Sequence, residues 1–261
     1  MILVDSHCHF DLLDREQENN DPENIIARAK QADVQYFLNV CVDLATVNPV
    51  LSVAEQYQCV YASVGVHPNH HEDFTREQLL QLASHQKVIA IGETGLDYYR
   101  STGQNDWQQE QFRLHIDIAK QLHKPLIIHT REAQLDTIEI MKEQNASDIG
   151  GVMHCFTENW EMAKAALDLG FYISISGIVT FKNAKIVQEV AKKIPLDRLL
   201  IETDSPYLAP EPMRGKPNEP AYVRHTAEFL ATLRQVPLEE IAEHTTHNFF
   251  NLFKGAKRSH V

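Results

Sequence analysis

The chain has 261 residues, of which 43% are hydrophobic and 23% are charged, enough apolar material for one large globular domain. Its 24 basic and 36 acidic side chains give a net charge of −12, which excludes a nonspecific basic clamp for nucleic acid. No stretch reaches the roughly 18 consecutive apolar residues of a membrane helix, and the N-terminus lacks a signal-peptide pattern. We therefore expect a cytoplasmic protein, with a single domain over residues 1–261 and no obligate protein partner.

Apolar runs bounded by turn residues recur eight times along the chain, and each is followed by a segment with helical spacing. The predicted strands cover residues 2–4, 34–42, 60–66, 88–92, 125–129, 151–156, 171–176 and 199–202. The second and fifth runs are almost continuously apolar, as parallel strands covered by helices require. Eight βα units in about 250 residues predict a (β/α)8 TIM barrel. The alternative, a doubly wound open sheet, would use fewer strands and normally has a glycine-rich first turn.

The end of the chain departs from the regular βα alternation. Residues 206–220 follow the eighth predicted strand and contain five of the eleven prolines, which predicts a stiff loop. Two helical stretches come after it, at about residues 221–234 and 238–253, and Pro237 marks the start of the second. The barrel should therefore carry an extra C-terminal helix.

Histidine is unusually frequent, with fourteen residues, and several of them end apolar runs. His7 and His9 are separated by one residue on the first strand, so their side chains leave the same face of the strand. Both imidazoles can then reach one metal ion. The alternative for this pair alone is that the two histidines make ordinary hydrogen bonds.

Further metal-capable side chains end later strands. Glu93 follows the fourth run, His129 ends the fifth, His154 lies in the sixth and Asp204 follows the eighth. In a parallel barrel these ends converge on one mouth, where such residues are typically catalytic. A catalytic zinc usually has three protein ligands, so six ligand-type residues predict two divalent ions, with a carboxylate such as Glu93 between them. The implied chemistry is hydrolysis by a metal-activated water, and motifs of serine hydrolases and nucleotide-binding proteins are absent from the sequence.

Seven short motifs occur in order between residues 5 and 220: DSHCH (5–9), GVHP (65–68), GETGLDY (92–98), HTR (129–131), HCF (154–156), ETDSPYL (202–208) and RGKPNEP (214–220). In this combination and spacing the sequence resembles the TatD family of metal-dependent deoxyribonucleases, a branch of the amidohydrolase-type TIM barrels. The resemblance implies a divalent-metal site in which Glu93 bridges, formed by His7, His9, Glu93, His129, His154 and Asp204.

The resemblance also divides the ligands into two sets. It implies that His7, His9 and Asp204 serve one ion, and that His129 and His154 serve the other. Asp204 is in addition a candidate acceptor for a proton of the attacking water, so Glu93 and Asp204 are the predicted catalytic residues.

Two other polar residues near the predicted mouth have two alternative roles each. Glu202 either orients a ligand or pairs with a barrel arginine such as Arg131. His67 is expected to contact substrate or a metal-bound water, and the alternative is a turn histidine.

Three basic residues are candidate phosphate contacts, because loops near the end of such barrels often hold phosphate. They are Arg131, Arg214 and Lys216, and the last two have the alternative of being solvated loop residues. The family pattern often has a basic residue where this chain has Pro217, so the chain departs from the pattern in that loop.

We expect DNA ends or short single strands as the substrate, cleaved by 3′–5′ exonuclease action. Two divalent ions with the carboxylates of Glu93 and Asp204 leave a charge of about +2, which attracts phosphate despite the acidic surface. Few basic residues are available to follow a long backbone, so the salt dependence should be shallow. Magnesium, manganese and zinc are the candidate ions.

Two other hypotheses use the same residues. A metal-dependent ester or amide hydrolase, such as a D-aminoacyl-tRNA deacylase, would keep both ions and change the bond that is cleaved. A binding module with structural metals fits less well, since structural zinc prefers closed sites with four protein ligands.

Overall fold

The computed structural model of the protein describes residues 1–13, 21–99, 103 and 105–258. Eight parallel strands form one sheet in sequence order, and a parallel bridge between Cys8 and Ser205 joins its two edges. The fold is a (β/α)8 TIM barrel, which confirms the predicted class over the open sheet. The strands are β1 (Leu3–Cys8), β2 (Val34–Asn39), β3 (Val60–Val64), β4 (Val88–Asp97), β5 (Leu126–Arg131), β6 (Gly151–Met153), β7 (Tyr172–Ile175) and β8 (Leu199–Ile201).

The described residues also form nine α-helices, of which the first eight surround the barrel. Among these residues no helix combines the length and apolarity needed to cross a bilayer. The helices are α1 (Pro22–Gln31), α2 (Val47–Gln56), α3 (Arg76–Ala83), α4 (Asp106–Leu122), α5 (Gln134–Glu143), α6 (Trp160–Asp168), α7 (Lys185–Lys193), α8 (Val223–Arg234) and α9 (Leu238–Leu252).

Two apolar layers hold the barrel together, because successive strand residues point to opposite faces of the sheet. On β1, Leu3 packs outward against the helices and Val4 packs into the barrel interior. On β2, Phe37 packs outward against the helices and Leu38 packs into the barrel interior. Both faces of each strand are therefore buried, which explains the nearly continuous apolar runs in the sequence.

The extra C-terminal helix α9 covers the N-terminal end of the barrel. Phe249 and Phe253 are fully buried and pack with the interior cluster that includes Val4. Asn248 donates hydrogen bonds from its amide to the carbonyls of Leu196 and Leu199, at the start of β8. The helix thus closes the floor of the barrel, opposite the mouth where the strands end.

Several strand bounds differ from the prediction. β1 and β4 extend beyond the expected residues 2–4 and 88–92, because the polar residues that interrupt the apolar runs still pair with the next strand. β2, β3 and β6 end before the expected positions 42, 66 and 156. The apolar residues that follow them, such as Val66 and Phe156, are buried in loops rather than paired in the sheet.

Irregular pairing in β1 occurs at one of the predicted ligands. Residues 5–8 of β1 pair with residues 37–39 of β2, so one extra residue is accommodated on β1. Such a bulge turns the side chains of the longer strand relative to the regular pleat. His7 lies within it.

A second bulge surrounds Glu93. Residues 91–94 of β4 pair with residues 126–128 of β5, again with one extra residue on the longer strand. The end of β3 packs closely against this bulge, since a Cβ atom on Gly65 would lie 2.5 Å from the Cα atom of Gly92. A side chain at position 65 would therefore push the Glu93 backbone out of place.

A buried histidine connects α4 to the end of β3. His115 accepts a hydrogen bond on Nε2 from the backbone N–H of Val66 (3.0 Å) and donates from Nδ1 to the carbonyl of Gln111 (2.7 Å). Both contacts require the neutral ring. Burial lowers the pKa of His115 to about 4.

This histidine should make the fold less stable in acid. The unfolded chain takes up a proton on His115 below about pH 6.5 and the folded chain only near pH 4, so stability is full above pH 6.5 and falls between these values. We expect the free energy of unfolding, measured by urea denaturation of metal-free protein, to fall by about 2 to 3 kcal/mol more between pH 7 and 4.5 in the parent than in His115→Gln.

His247→Gln, at an exposed position of α9, is the matched control and should follow the parent. Parallel curves for the parent and His115→Gln would contradict this account.

Candidate metal centre

The six predicted ligands lie together at the mouth of the barrel. In the first group, the Nε2 atoms of His7 and His9 are 3.2 Å apart. The Oδ1 atom of Asp204 lies 3.3 Å from His9 Nε2 and 3.6 Å from His7 Nε2. Glu93 Oε2 lies 3.4 Å from His7 Nε2.

The other oxygen of Glu93 faces a second group. Glu93 Oε1 is 2.8 Å from His154 Nε2 and 3.1 Å from His129 Nδ1, and these two nitrogens are 3.5 Å apart. One carboxylate thus presents one oxygen to each group, and the two groups are those that the resemblance implies.

The spacing within each group fits a bound divalent ion. An ion held tetrahedrally at about 2.1 Å keeps its ligand atoms about 3.4 Å apart. The nitrogen and oxygen atoms of the first group are separated by 3.2 to 3.6 Å and those of the second by 2.8 to 3.5 Å. Imidazole and carboxylate donors of this kind suit zinc, manganese or magnesium.

Three of the four imidazoles are oriented through the nitrogen that faces away from the centre. His9 donates from Nδ1 to the carbonyl of Val40 (2.8 Å). His154 Nδ1 lies 3.3 Å from Glu202 Oε1, and His129 Nε2 lies 3.2 Å from Asp97 Oδ2. Each acceptor places the proton on the outer nitrogen and leaves the lone pair of the inner nitrogen for a metal. His7 Nδ1 is buried and has no partner in the part of the chain that the structure describes.

Glu202 orients the ligand His154 and does not pair with Arg131, which was the alternative prediction for it. Besides His154, its Oε1 accepts the backbone N–H of Cys155 at 2.6 Å. Arg131 is exposed and stacks on Tyr99 instead, with its guanidinium carbon 3.7 Å from the ring centroid.

Asp97 was missed by the sequence reasoning. It is buried at the end of β4, where it also accepts hydrogen bonds from the Asn69 side chain and the Tyr99 backbone, both at 3.0 Å. The available signal was its spacing: Asp97 is four residues after Glu93, on the same face of the strand.

A second missed residue is Asp5, which joins the two edge strands beneath the ligands. Its carboxylate accepts the backbone N–H and the hydroxyl of Thr203, at 2.9 and 2.5 Å. Next to this contact the backbone N–H of Asp204 donates to the carbonyl of His7 (2.9 Å). Asp5 therefore sets the position of Asp204 relative to His7.

The centre is electrostatically prepared for positive charge. Burial alone would raise the pKa of Glu93, but the imidazoles of His154 and His67 hold this pKa well below its usual range. Burial alone would lower the pKa of His154, and the carboxylates of Glu93 and Glu202 instead raise it well above its ordinary value. Both shifts arise because buried carboxylates favour a nearby cation, which a proton or a metal ion can supply.

His67 lies beside the second group as a hydrogen-bond donor. Its Nδ1 accepts the backbone N–H of Asn69 at 3.0 Å, which places the proton of the neutral ring on Nε2. That Nε2 is 3.3 Å from Glu93 Oε1. Burial lowers the pKa of His67, which favours the neutral ring.

The three predicted phosphate contacts lie on the rim, outside the cluster of ligands. Arg131 is exposed at the end of β5. Arg214 is exposed and its guanidinium carbon lies 4.3 Å from the ring centroid of Phe181. Lys216 lines a surface cavity of about 530 Å³ between α1 and the loop after β8. Their contact with a substrate stays a prediction.

Comparison with known proteins identifies relatives that are described as metal-dependent hydrolases. The model of a family described as TatD related DNase matches residues 4–254. The chain is 50% identical over 254 residues to the uncharacterized metal-dependent hydrolase YcfH of Escherichia coli K12, covering 97% of this chain and 96% of YcfH. It is 46% identical over 256 residues to the uncharacterized metal-dependent hydrolase YabD of Bacillus subtilis, covering 97% and 99%. The crystal structure of the TatD homologue YjjV of E. coli K12 superposes with a TM-score of 0.89 at 32% identity, covering 97% and 98%.

The orienting carboxylates should control metal affinity. We expect Asp97→Asn and Glu202→Gln each to weaken binding of Zn²⁺ or Mn²⁺ by about 10- to 100-fold, because the amide removes the negative charge that holds the ligand histidine. Chelator competition would measure the dissociation constants.

Asp117→Asn, on the exposed face of α4, makes the same chemical change away from the site and should bind metal as the parent does. Unchanged affinity in both site variants would show that these carboxylates do not orient ligands.

Proposed function

The chain belongs to the TatD-related DNase family and is a metal-dependent hydrolase, and from this premise we propose that it cleaves phosphodiester bonds of DNA as a 3′–5′ exonuclease on single-stranded ends. The observation that carries the proposal is the shared carboxylate. Glu93 presents one oxygen to each of two donor groups, as a site for two neighbouring cations requires.

In this proposal two divalent ions occupy the two groups, and magnesium, manganese and zinc are the candidates. When bound, such ions supply a water with a lowered pKa and positive charge for the phosphate oxygens. The protein side contributes two carboxylates and neutral imidazoles, so the centre keeps a charge of about +2. That charge supports an anionic substrate on a protein whose net charge is −12.

The exposure of the side chains around the centre indicates which role each of them has in the reaction. The side chain of Glu93 is 4% exposed and holds its position between the groups, whereas the side chain of Asp204 is 16% exposed. Asp204 is therefore the residue that accepts a proton from the attacking water and returns it to solvent. His67 directs its Nε2–H toward Glu93 Oε1 at 3.3 Å, and when a phosphate is bound beside the second group this N–H can instead donate to a phosphate oxygen.

The proposal is tested with metal-free protein reconstituted separately with Mg²⁺, Mn²⁺ and Zn²⁺ and incubated with end-labelled single-stranded DNA. We expect nucleotides to be released stepwise from the 3′ end, only after metal is restored. Glu93→Ala should slow this release by about two orders of magnitude or more, because both donor groups lose a ligand.

Glu143→Ala, an exposed glutamate on α5, is the matched control and should cleave as the parent does. A D-aminoacyl-tRNA substrate run in parallel covers the deacylase alternative. Release of D-amino acid without release of nucleotides would replace the proposed function with that alternative.

A further inference from the structure

The rim of the barrel mouth is divided by charge. After β2 and β3 the rim carries Asp43 and Glu72, with His70 Nδ1 lying 3.4 and 3.9 Å from their carboxylate oxygens. After β5, β7 and β8 the rim carries five exposed cations: Arg131, Lys182, Lys185, Arg214 and Lys216. The same loops also carry the exposed carboxylates of Glu132 and Glu211, so the exposed cations after β5, β7 and β8 outnumber the exposed carboxylates by five to two.

Two of these cations, Arg131 and Arg214, differ from most arginines elsewhere on the described surface. Arg76, Arg113 and Arg224 each form an ion pair with a carboxylate, at distances of 2.5 to 2.9 Å. Within the described ranges, none of the five rim cations has a carboxylate partner. In a chain with a net charge of −12, unpaired cations gathered at one place indicate an anionic ligand.

Aromatic side chains accompany the cations. Arg214 stacks on Phe181 at 4.3 Å, and Tyr207, in the same pair of loops, has 55% of its surface exposed. Alternation of cations with exposed aromatic rings is typical of surfaces that bind single-stranded nucleic acid, where phosphates meet the charges and bases stack on the rings.

The basic sector continues directly from the metal centre. The backbone N–H of Tyr207 donates to the carbonyl of Asp204 at 3.0 Å. The loops after β7 and β8 are joined where the N–H of Glu211 donates to the hydroxyl of Thr180 at 2.9 Å. Arg214 lies three residues after Glu211, and Lys182 lies two residues after Thr180. An extended strand can thus pass from Asp204 outward over connected backbone.

We propose that a single DNA strand, with its 3′ end at the metal centre, runs outward across the loops after β7 and β8. Arg214, Lys182 and Lys185 contact its phosphates, and a base stacks on Tyr207. This inference rests on the proposed function and adds the route of the substrate to it. Because the run of cations is short, we expect only a few nucleotides next to the 3′ end to be held.

The double variant Lys182→Gln/Lys185→Gln tests the route. We compare kcat/KM for a 20-nucleotide single strand and for a dinucleotide, and expect the ratio of the two values to fall about tenfold in the variant. The slope of log(kcat/KM) for the 20-mer against log[salt] should become shallower by about 1.4, since each single-strand phosphate contact contributes about 0.7.

The matched control is Lys142→Gln/Lys254→Gln, which removes two exposed cations away from the rim, one on α5 and one just after α9. It should keep the ratio and the salt slope of the parent. An equal fall in both double variants, or no fall in either, overturns the route.

A binding measurement separates failure of the route from failure of the proposed function. Fluorescence anisotropy of a labelled phosphorothioate 20-mer, which resists cleavage, is expected to show about tenfold weaker binding to Lys182→Gln/Lys185→Gln than to the parent. If this loss occurs but no DNA is ever cleaved, the route stands and the nuclease function falls. If a 20-residue polyglutamate displaces the labelled strand as well as unlabelled DNA does, the surface is a general anion site and the route is overturned.

Discussion

Closure of the barrel brings β1 against the end of β8, and the candidate metal centre is built across that junction. His9 and Asp204 are 195 residues apart in sequence, yet their ligand atoms are 3.3 Å apart. The contacts that hold them, from Asp5 to Thr203 and from Asp204 to the His7 carbonyl, are the same contacts that join the sheet edges. The contacts that close the barrel therefore also fix the positions of the ligands relative to one another.

The sequence predicts the parts of this structure that repeat. Apolar runs at regular intervals indicate eight strands, and ligand-type side chains at the ends of those runs indicate the mouth. Residues such as Glu93 and His154 are visible in this way because a parallel barrel sends every strand end to the same place. The C-terminal helix is predicted for a similar reason, since its helical spacing is local.

The parts that depend on strand register could not be predicted. The bulges at His7 and Glu93 appear only when neighbouring strands are aligned. Orientation of a ligand is one of the two predicted roles of Glu202, but the sequence does not show that its partner is His154, nor that Asp97 faces His129. Asp5 is similar, because its partner Thr203 lies at the opposite end of the chain. Spacing along one strand is a local property, whereas these contacts are properties of pairs of strands.

The helix α9 closes the N-terminal end of the barrel to substrate and product. Phe249 and Phe253 fill the N-terminal end of the interior, and the layer of side chains above them is packed. Substrate and product must then both pass through the mouth of the barrel. A released product occupies the path by which the next substrate group enters. Product therefore has to leave through the mouth before the next group can reach the metal centre.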